Sequence, residues 1–398
     1  MEELVKYSNS KLSKTSMSFT RYLIDKIQWE DRLIGIKGAR GVGKTIMLLQ
    51  QLKRTYGMSV KAIYVTLDHL YFTKNSFYEF AEQFYLSGGR ALFLDEVHRY
   101  PNWSIEIKNL YDLYDDLKIV FTGSSAIQLQ KAAGDLSRRA AMYELPELSF
   151  REFLELTGRA KIQKFDLEDI LNRHLEIAPE IIKERVIIPL FREYLETGAY
   201  PYVIDTKGQL YDRILNTINV VVENDLPMIE NINYQTAYKL RQLIAILADT
   251  VPFKINTAEL SRTIGFSRDM LLKMLAALDR ANMIKRLMPA GSAMGYLTKP
   301  VKIYLNNTTL LLALTSGKGN IEGTVRETFF MNQLIEHHNV KSCPFGDFLI
   351  DETYTFEVGG AKKSFAQIAN KENSFIAADN MELGVGNKIP LWLFGFLY

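Results

Sequence analysis

The sequence contains a single cysteine, Cys343, so no disulfide can form within the chain. A chain without disulfides fits a reducing compartment. Cys343 precedes Pro344 and has no histidine at a patterned spacing, so we interpret it as a packing residue rather than a nucleophile.

Long apolar runs are also absent, and residues 1–14 are polar and lack an apolar leader segment. The longest apolar run, 389–398, is too short to cross a bilayer as a helix. We predict that this run forms a buried terminal strand. Together these absences predict a cytoplasmic protein with no membrane partner.

An excess of charge of either sign is missing too, since 48 Lys and Arg face 46 Asp and Glu. This balance excludes a polybasic or acidic tail as the main function, although local basic patches remain open. Hydrophobic residues make up 47% of the chain, enough for more than one core. The length of 398 residues allows two or three domains.

Residues 1–148 alternate short apolar runs with helical patterns, which predicts a parallel α/β sheet. Helices are expected at 44–54, 76–85 and 104–113. Because both faces of a parallel sheet are covered, its strands should read as continuous apolar runs. The predicted strands are 33–36, 62–67, 91–94, 119–122 and 141–145.

A phosphate-binding motif follows the first of these strands. Its eight residues match G-x-x-x-x-G-K-[ST] and are Gly38, Ala39, Arg40, Gly41, Val42, Gly43, Lys44 and Thr45. The glycines let backbone N–H groups turn inward around phosphate oxygens, and the next helix adds the positive end of its dipole. Lys44 is expected to reach the β- and γ-phosphates, and the Thr45 hydroxyl to ligate magnesium. The motif predicts binding of ATP with Mg²⁺.

Two carboxylates, Asp95 and Glu96, end the apolar strand 91–94. We predict that Asp95 holds magnesium through water and that Glu96 acts as the general base that polarises the attacking water. The strand 119–122 ends in Thr122, followed by Gly123 and Ser124. Either Thr122 or Ser124 contacts the γ-phosphate or the water, or the segment is only a polar turn.

Two adjacent arginines, Arg138 and Arg139, follow in the segment 135–139. One reading makes Arg139 an arginine finger that neutralises charge in phosphoryl transfer, which would imply a homo-oligomer if it acts in trans. The other reading is a surface basic pair. His98 lies just beyond the acidic pair, where we favour a structural role over a sensing one.

Beyond residue 148 the pattern becomes helical, and residues 149–235 are predicted to form a helical lid or linker. Ser149 and Glu152 have the spacing of a capping box. Residues 236–300 are predicted to form a winged helix, with helix caps at 256 or 257 and at Ser267, and a wing strand at 283–288. Its candidate DNA contacts are Ser267, Arg268, Lys273, Lys285 and Arg286.

Four leucines, at 271, 272, 275 and 278, form a core stripe in the same segment. A structural or partner-docking role is therefore the alternative to DNA binding.

With these elements in order, the chain resembles the AAA-type P-loop ATPases of bacteria and archaea that carry a winged helix and a PD-(D/E)xK nuclease-like C-terminal domain. The resemblance covers nearly the whole chain and includes the segments 94–98, 121–125, 135–139, 148–152, 356–360 and 391–395. It implies ATP hydrolysis, and a sheet in which the P-loop strand neighbours the strand that ends in Thr122.

Residues 301–398 resemble the nuclease core, with strands expected at 301–305, 347–350, 354–358 and 374–378 and helices at 324–340 and 365–370. Candidate magnesium ligands are Glu327, Asp347 and Glu357. The motif requires lysine two residues after Glu357, where this chain has Gly359, so we expect an inactive domain. Lys362 or Lys363 could replace the missing lysine, and Gln367 takes the position of a polar helix residue.

The resulting functional hypothesis is an ATPase whose hydrolysis is coupled to the C-terminal modules, which act on DNA or a protein partner. One alternative is an ATP-regulated, Mg²⁺-dependent DNA nuclease. A second is a nucleotide-gated DNA-binding protein without significant turnover.

Overall fold

The computed structural model describes residues 1–123, 136, 138–206, 208–227, 232–250, 253–254, 256–291, 299–315, 321–369 and 371–398. The predictions made for Ser124, Asp135 and Ser137 lie outside these residues. The chain forms two compact units, Met1–Pro146 and Glu147–Tyr398. Within the described ranges, no helix combines the length and apolarity needed to cross a membrane.

The first unit is built on a five-stranded parallel sheet with the order β2-β3-β4-β1-β5. The strands are β1 Leu33–Lys37, β2 Ala62–Thr66, β3 Ala91–Asp95, β4 Lys118–Gly123 and β5 Ala141–Glu144. The helices are α1 Glu2–Lys14, α2 Lys44–Tyr56, α3 Phe77–Leu86 and α4 Trp103–Leu113. All five predicted strands are confirmed. The expected pairing of the P-loop strand with the strand carrying Thr122 is also confirmed, because β1 pairs with β4 in parallel.

Helix α1 was not predicted, because its segment has few apolar residues. Leu4, Ser8 and Leu12 recur every four positions and are all buried on one helix face. The Ser8 hydroxyl oxygen accepts a hydrogen bond (3.1 Å) from the backbone N–H of Tyr64 on the outer strand β2. Helix α1 thereby provides a hydrogen-bond acceptor for a backbone N–H of the edge strand β2, which among the described residues has no neighbouring strand on that side.

Among the described residues, the first part of the second unit contains these α-helices. They are α5 Phe150–Leu156, α6 Leu167–Ile182, α7 Ile187–Thr197, α8 Leu210–Val220 and α9 Tyr234–Thr250. The predicted capping box at the start of α5 is present in full, since the side chains of Ser149 and Glu152 each bond the other residue's backbone N–H.

Two short helices and a small sheet follow in the second unit. The helices α10 Thr257–Ile264 and α11 Arg268–Arg280 are capped by Asn256 and Ser267, as predicted. The strands β6 Phe253–Lys254, β7 Ile284–Leu287 and β8 Lys302–Leu305 form an antiparallel sheet with the order β6-β8-β7. The sequence assigned β8 to the C-terminal segment, whereas the structure pairs it with β7.

The C-terminal part contains α12 Thr308–Thr315, α13 Glu322–Ile335 and a second five-stranded sheet. Its strands are β9 Val340–Ser342, β10 Phe348–Ile350, β11 Tyr354–Gly360, β12 Ser374–Asp379 and β13 Lys388–Pro390, in the order β13-β12-β11-β10-β9. Strand β11 is antiparallel to β10 and parallel to β12.

Two predictions for this part were wrong. Residues 365–369 form turns rather than a helix. The terminal apolar run has only the short strand β13 and then a buried 3-10 helix, Leu391–Phe396. Pro390 has no N–H to donate, so the strand ladder ends there.

Candidate functional site

The loop between β1 and α2 has a backbone that requires glycine. Gly41 and Gly43 have φ of 87° and 99°, a region that residues with a Cβ rarely adopt. A Cβ at Gly38 would lie 2.3 Å from the carbonyl oxygen of Leu145. The three glycines therefore allow the tight loop that a phosphate cradle needs.

Lys44, the first residue of α2, is buried and reaches back over this loop. Its ammonium donates hydrogen bonds to the carbonyl oxygens of Gly38 and Ala39, both at 2.8 Å. The side chain thus lies against the loop, at the N-terminal end of a 13-residue helix. A cation and a helix N-terminus at one point favour an anionic ligand.

Asp95, at the end of β3, is the centre of a compact hydrogen-bond cluster. The hydroxyls of Thr45 (2.6 Å) and Tyr64 (3.0 Å) donate to its Oδ2. The Thr122 hydroxyl and the backbone N–H of Glu96 (3.1 Å) donate to its Oδ1. The structure therefore brings together Thr45, Asp95 and Thr122, three of the residues that the sequence singled out.

This cluster suits a hard divalent cation. Carboxylate and hydroxyl oxygens are the ligands that Mg²⁺ prefers, usually with phosphate oxygens and water completing its coordination. Thr45 can ligate a cation through an oxygen lone pair while its hydroxyl proton is still donated to Asp95. The side chains of Thr45 and Asp95 therefore fit the magnesium expected from the sequence.

Glu96 directly follows Asp95 and has an unusual backbone, with φ of 50° and ψ of 39°. This left-handed conformation is uncommon outside glycine and occurs often at functional sites. Burial raises the pKa of the Glu96 carboxyl. The positive charges of Lys44 and Arg40 lower this pKa, whereas the negative charges of Asp95 and Asp68 raise it further. The carboxyl thus lies within electrostatic reach of the P-loop.

His98 is buried beside Glu96, with 3.4 Å between its Nε2 and Oε2 of the glutamate. Burial, with the charges of Arg99, Lys44 and Arg40, lowers the pKa of His98 to about 3. The imidazole is therefore neutral at neutral pH. It packs against the glutamate.

Tyr64 and Asp68 belong to this region and were missed from the sequence. Burial and the adjacent Asp95 raise the pKa of the Tyr64 phenol, so it remains a hydrogen-bond donor at neutral pH. Asp68 follows β2 as Asp95 ends β3, and these parallel strands pair from Ala62 with Ala91 onward. The sequence does contain a signal for Asp68, because the apolar strand β2 is followed closely by this acidic residue.

Arg139 is not brought to the P-loop of its own chain. It precedes β5, whose first residue Ala141 pairs with Ile34 near the start of β1, so it lies at the amino edge of the sheet. Its guanidinium makes two hydrogen bonds to Asp112, at 2.8 and 2.9 Å. A finger role for Arg139 therefore requires a second copy of the chain.

A second polar cluster lies in the C-terminal unit and includes two of the expected carboxylates. The Lys302 ammonium is 3.1 Å from Glu327 Oε2 and 3.4 Å from Asp347 Oδ1. The Tyr304 hydroxyl donates to Glu327 at 2.6 Å. Neither Lys302 nor Tyr304 was identified from the sequence, because no motif marks these two residues.

Glu357 on β11 is the third carboxylate, and Lys363 forms an ion pair with it. The aliphatic chain of Lys363 passes 2.9 Å from where a Cβ on Gly359 would stand. Gln367, with its amide nitrogen facing Glu357, donates to both carboxylate oxygens at 2.6 and 3.0 Å. Of the two candidate lysines, Lys363 is the one that contacts the glutamate.

The predicted DNA-contacting residues differ in exposure. The side chain of Arg286 is only 7% exposed and pairs with Asp279 at 2.9 Å. It therefore does not face a phosphate, contrary to the prediction. Lys285 donates to Asn282 at 3.1 Å. Within 271–278 only Lys273 is exposed, whereas Ser267 and Arg268 are exposed at the helix start.

In the first unit, a glycine-rich loop leads from β1 into α2, and an acidic residue ends β3, which lies two strands from β1 in the parallel sheet. This arrangement defines a P-loop NTPase core. Residues 30–154 match the protein family described as AAA domain. This match supports an AAA-type P-loop ATPase domain in that part of the chain. Residues 188–320 match a domain of unknown function, DUF8612.

Similarity to individual proteins is low but extends over most of the chain. An uncharacterized protein of Methanocaldococcus jannaschii is 23% identical over 431 residues, covering 96% of this chain and 90% of that protein. The Walker-type ATPase of Pyrococcus abyssi is 13% identical, with a TM-score of 0.43 over 76% of this chain and 97% of that one. AMPPCP-bound DnaA from Aquifex aeolicus is 16% identical, with a TM-score of 0.26 over 70% of this chain and 88% of that one.

Proposed function

We propose that the chain binds ATP with Mg²⁺ at the P-loop and hydrolyses it. The observation that carries this proposal is the cluster around Asp95, where hydroxyls of Thr45 and Thr122 converge on one carboxylate beside the P-loop. A P-loop alone supports nucleotide binding. A carboxylate held at this position, followed by the partly buried Glu96, supports hydrolysis as well.

Each residue has a distinct role in this proposal. Backbone N–H groups of 38–45 bind the phosphates, and Lys44 exchanges its two carbonyl partners for phosphate oxygens. Thr45 and Asp95 hold the magnesium, which when bound would neutralise charge on the phosphates. Glu96 accepts the proton of the attacking water. Thr122 orients Asp95 and reaches toward the γ-phosphate.

Two substitutions test this proposal. Lys44→Ala should weaken ATP binding by at least about tenfold, because a hydrogen-bonded charge typically contributes about 1.5–3 kcal/mol. Glu96→Gln should keep the ATP affinity and lower turnover by about 10²–10⁴, the usual contribution of a general base. Binding of a fluorescent ATP analogue and release of phosphate measure the two effects.

Lys61→Ala, at an exposed lysine outside the loop, is the matched control and should change neither value. Unchanged ATP affinity in Lys44→Ala would disprove the P-loop assignment. Wild-type turnover in Glu96→Gln would instead leave nucleotide binding standing and remove the proposed role of Glu96.

We propose further that hydrolysis is coupled to a helical lid in 149–235, a winged helix in 236–300 and an inactive nuclease-like module in 301–398, acting on DNA or a protein partner. Exposed Arg268 and Lys273 support a DNA contact at the start of α11. The buried face of 271–278 and the paired Arg286 support a structural or partner-docking role instead. ATPase turnover of the size-fractionated protein, measured with and without DNA, distinguishes the two roles.

Mg²⁺-dependent cleavage of DNA is a second candidate function, favoured by one observation. Lys363 crosses Gly359 and reaches Glu357, so a lysine is present although the motif position lacks one. Lys302 opposes this candidate, because its ammonium already neutralises Glu327 and Asp347 where a cation would bind.

Incubation with linear DNA and Mg²⁺ tests this candidate. If the cluster is inactive, as we expect, the wild-type protein leaves the DNA intact. Cleavage that disappears in both Glu357→Ala and Lys363→Ala, but persists in Lys362→Ala, would establish the nuclease and identify its lysine.

A further inference from the structure

The carboxylate of Asp95 accepts two hydrogen bonds on each oxygen. Thr45 and Tyr64 donate to Oδ2, and Thr122 and the Glu96 backbone donate to Oδ1. These four donors hold both oxygens of the carboxylate in a defined orientation. Among its donors, Tyr64 has no place in the P-loop motif or in the strand-end pattern of β3 and β4.

Tyr64 is held rigidly enough to act as a fixed donor. Its side chain is 2% exposed. Its backbone is fixed on both sides, because it pairs in register with Phe93 on β3 and its N–H donates to Ser8 of α1. The ring of Tyr7 stacks near the Tyr64 ring, with 6.2 Å between ring centres and 19° between planes.

The torsion that turns an aspartate carboxylate is broad, so hydrogen bonds rather than rotamer preference set its orientation. Tyr64 shares Oδ2 with Thr45, the hydroxyl expected to ligate magnesium. Without the phenol, Oδ2 would lose one of its two donors, and the carboxylate could rotate away from Thr45. Groups that orient metal ligands in this way typically change metal affinity or activity by 10–100-fold.

We propose that Tyr64 is a positioning residue that fixes Asp95 for magnesium. This inference rests on the proposed function, since it assigns Asp95 to the magnesium of a bound nucleotide. The single proton of the Tyr64 hydroxyl is donated to Asp95. Its effect should therefore appear in the dependence on magnesium and leave magnesium-free nucleotide binding unchanged.

The test compares Tyr64→Phe with the wild-type protein, using a fluorescent ATP analogue. In EDTA both proteins should bind the analogue equally. In a magnesium titration, the concentration that half-maximally enhances binding should rise about tenfold or more in the variant. Tyr64→Leu removes the same hydroxyl with a larger packing change, so it should show the same magnesium shift with a lower unfolding temperature.

Tyr114→Phe is the matched control, because it removes a phenol–carboxylate hydrogen bond to Glu82 (3.0 Å) in the same unit. It should leave the magnesium titration unchanged. A wild-type magnesium titration in Tyr64→Phe would overturn the positioning role while leaving the proposed ATPase intact. A wild-type protein that binds no analogue under either condition would overturn the proposed function, and the role of Tyr64 with it.

Discussion

His98 shows how one buried side chain can limit the pH range in which the first unit is stable. Its pKa falls to about 3 in the folded chain, mainly through burial, from an ordinary value of 6.5. The folded state therefore disfavours the protonated imidazole. The stability it contributes is fully present above pH 6.5 and is lost progressively as the pH falls from 6.5 to about 3.

We predict that His98→Gln flattens this acid dependence. A depression of this size corresponds to a few kcal/mol when fully developed, at about 1.4 kcal/mol per pH unit. Chemical unfolding of the nucleotide-free protein between pH 7 and 4 measures the slope. Equal slopes for the wild type and the variant would contradict the assigned shift.

At the residue scale, the sequence identifies candidates where one position has one chemical requirement. Lys44, Thr45, Asp95 and Thr122 were identified from a short motif and from two strand ends, and the structure places them together. Lys302 could not be identified in this way, because its contacts with Glu327 and Asp347 join residues from separate elements.

The capping box at α5 gives a prediction at the scale of a secondary-structure element. Ser149 is buried, bonds the N–H of Glu152 and also donates to the carbonyl oxygen of Tyr398 at 2.7 Å. Ser267 makes only the corresponding cap at α11, to the N–H of Met270, and is exposed. Comparing substitutions of the two serines therefore separates the stabilisation that comes from a helix cap from the stabilisation that comes from the additional buried hydrogen bond.

Ser267→Ala should lower the free energy of unfolding by about 1 kcal/mol, the usual value of an N-cap. Ser149→Ala should cost more, about 2 kcal/mol, because it also removes the buried hydrogen bond to the main-chain oxygen of Tyr398, which keeps the donor of Arg151. Urea unfolding of both variants measures the difference. Equal losses would mean that the contact with Tyr398 adds nothing.

Elements were predicted well where periodicity was strong and poorly where it was weak. The strands β1 to β4 are buried on both faces, so their apolar runs are unambiguous. Helix α1 has only Leu4, Ser8 and Leu12 on its buried face, which gives little signal. The terminal run is apolar on every side, and a short run of that kind fits a strand or a helix equally.

At the scale of the whole molecule, the position of Arg139 leads to a prediction about assembly. Because it lies at the amino edge of its own sheet, it can serve as a finger only for another copy of the chain. We predict that Arg139→Ala and Lys44→Ala are each inactive as ATPases and that mixing them restores part of the turnover. In the mixture, the Arg139→Ala protein supplies an intact P-loop and the Lys44→Ala protein supplies an intact Arg139.

Phosphate release by the mixture, compared with each variant alone, measures this complementation. Arg138→Ala is the control and should remain active alone. If the Arg139→Ala protein is active alone, Arg139 is not an arginine finger, and its role is limited to the ion pair that it forms with Asp112.

The sequence by itself determined the P-loop, the acidic end of β3, the strands of the first sheet and the capping box, because each depends on residues close together along the chain. The boundaries predicted near residues 148, 235 and 300 remain predictions. Only the tertiary structure decided that Tyr64 bonds Asp95, that Lys363 rather than Lys362 pairs with Glu357, and that Lys302 pairs with Glu327 and Asp347. These contacts join distant segments, and the packing of strands against helices, which no local pattern records, brings them together.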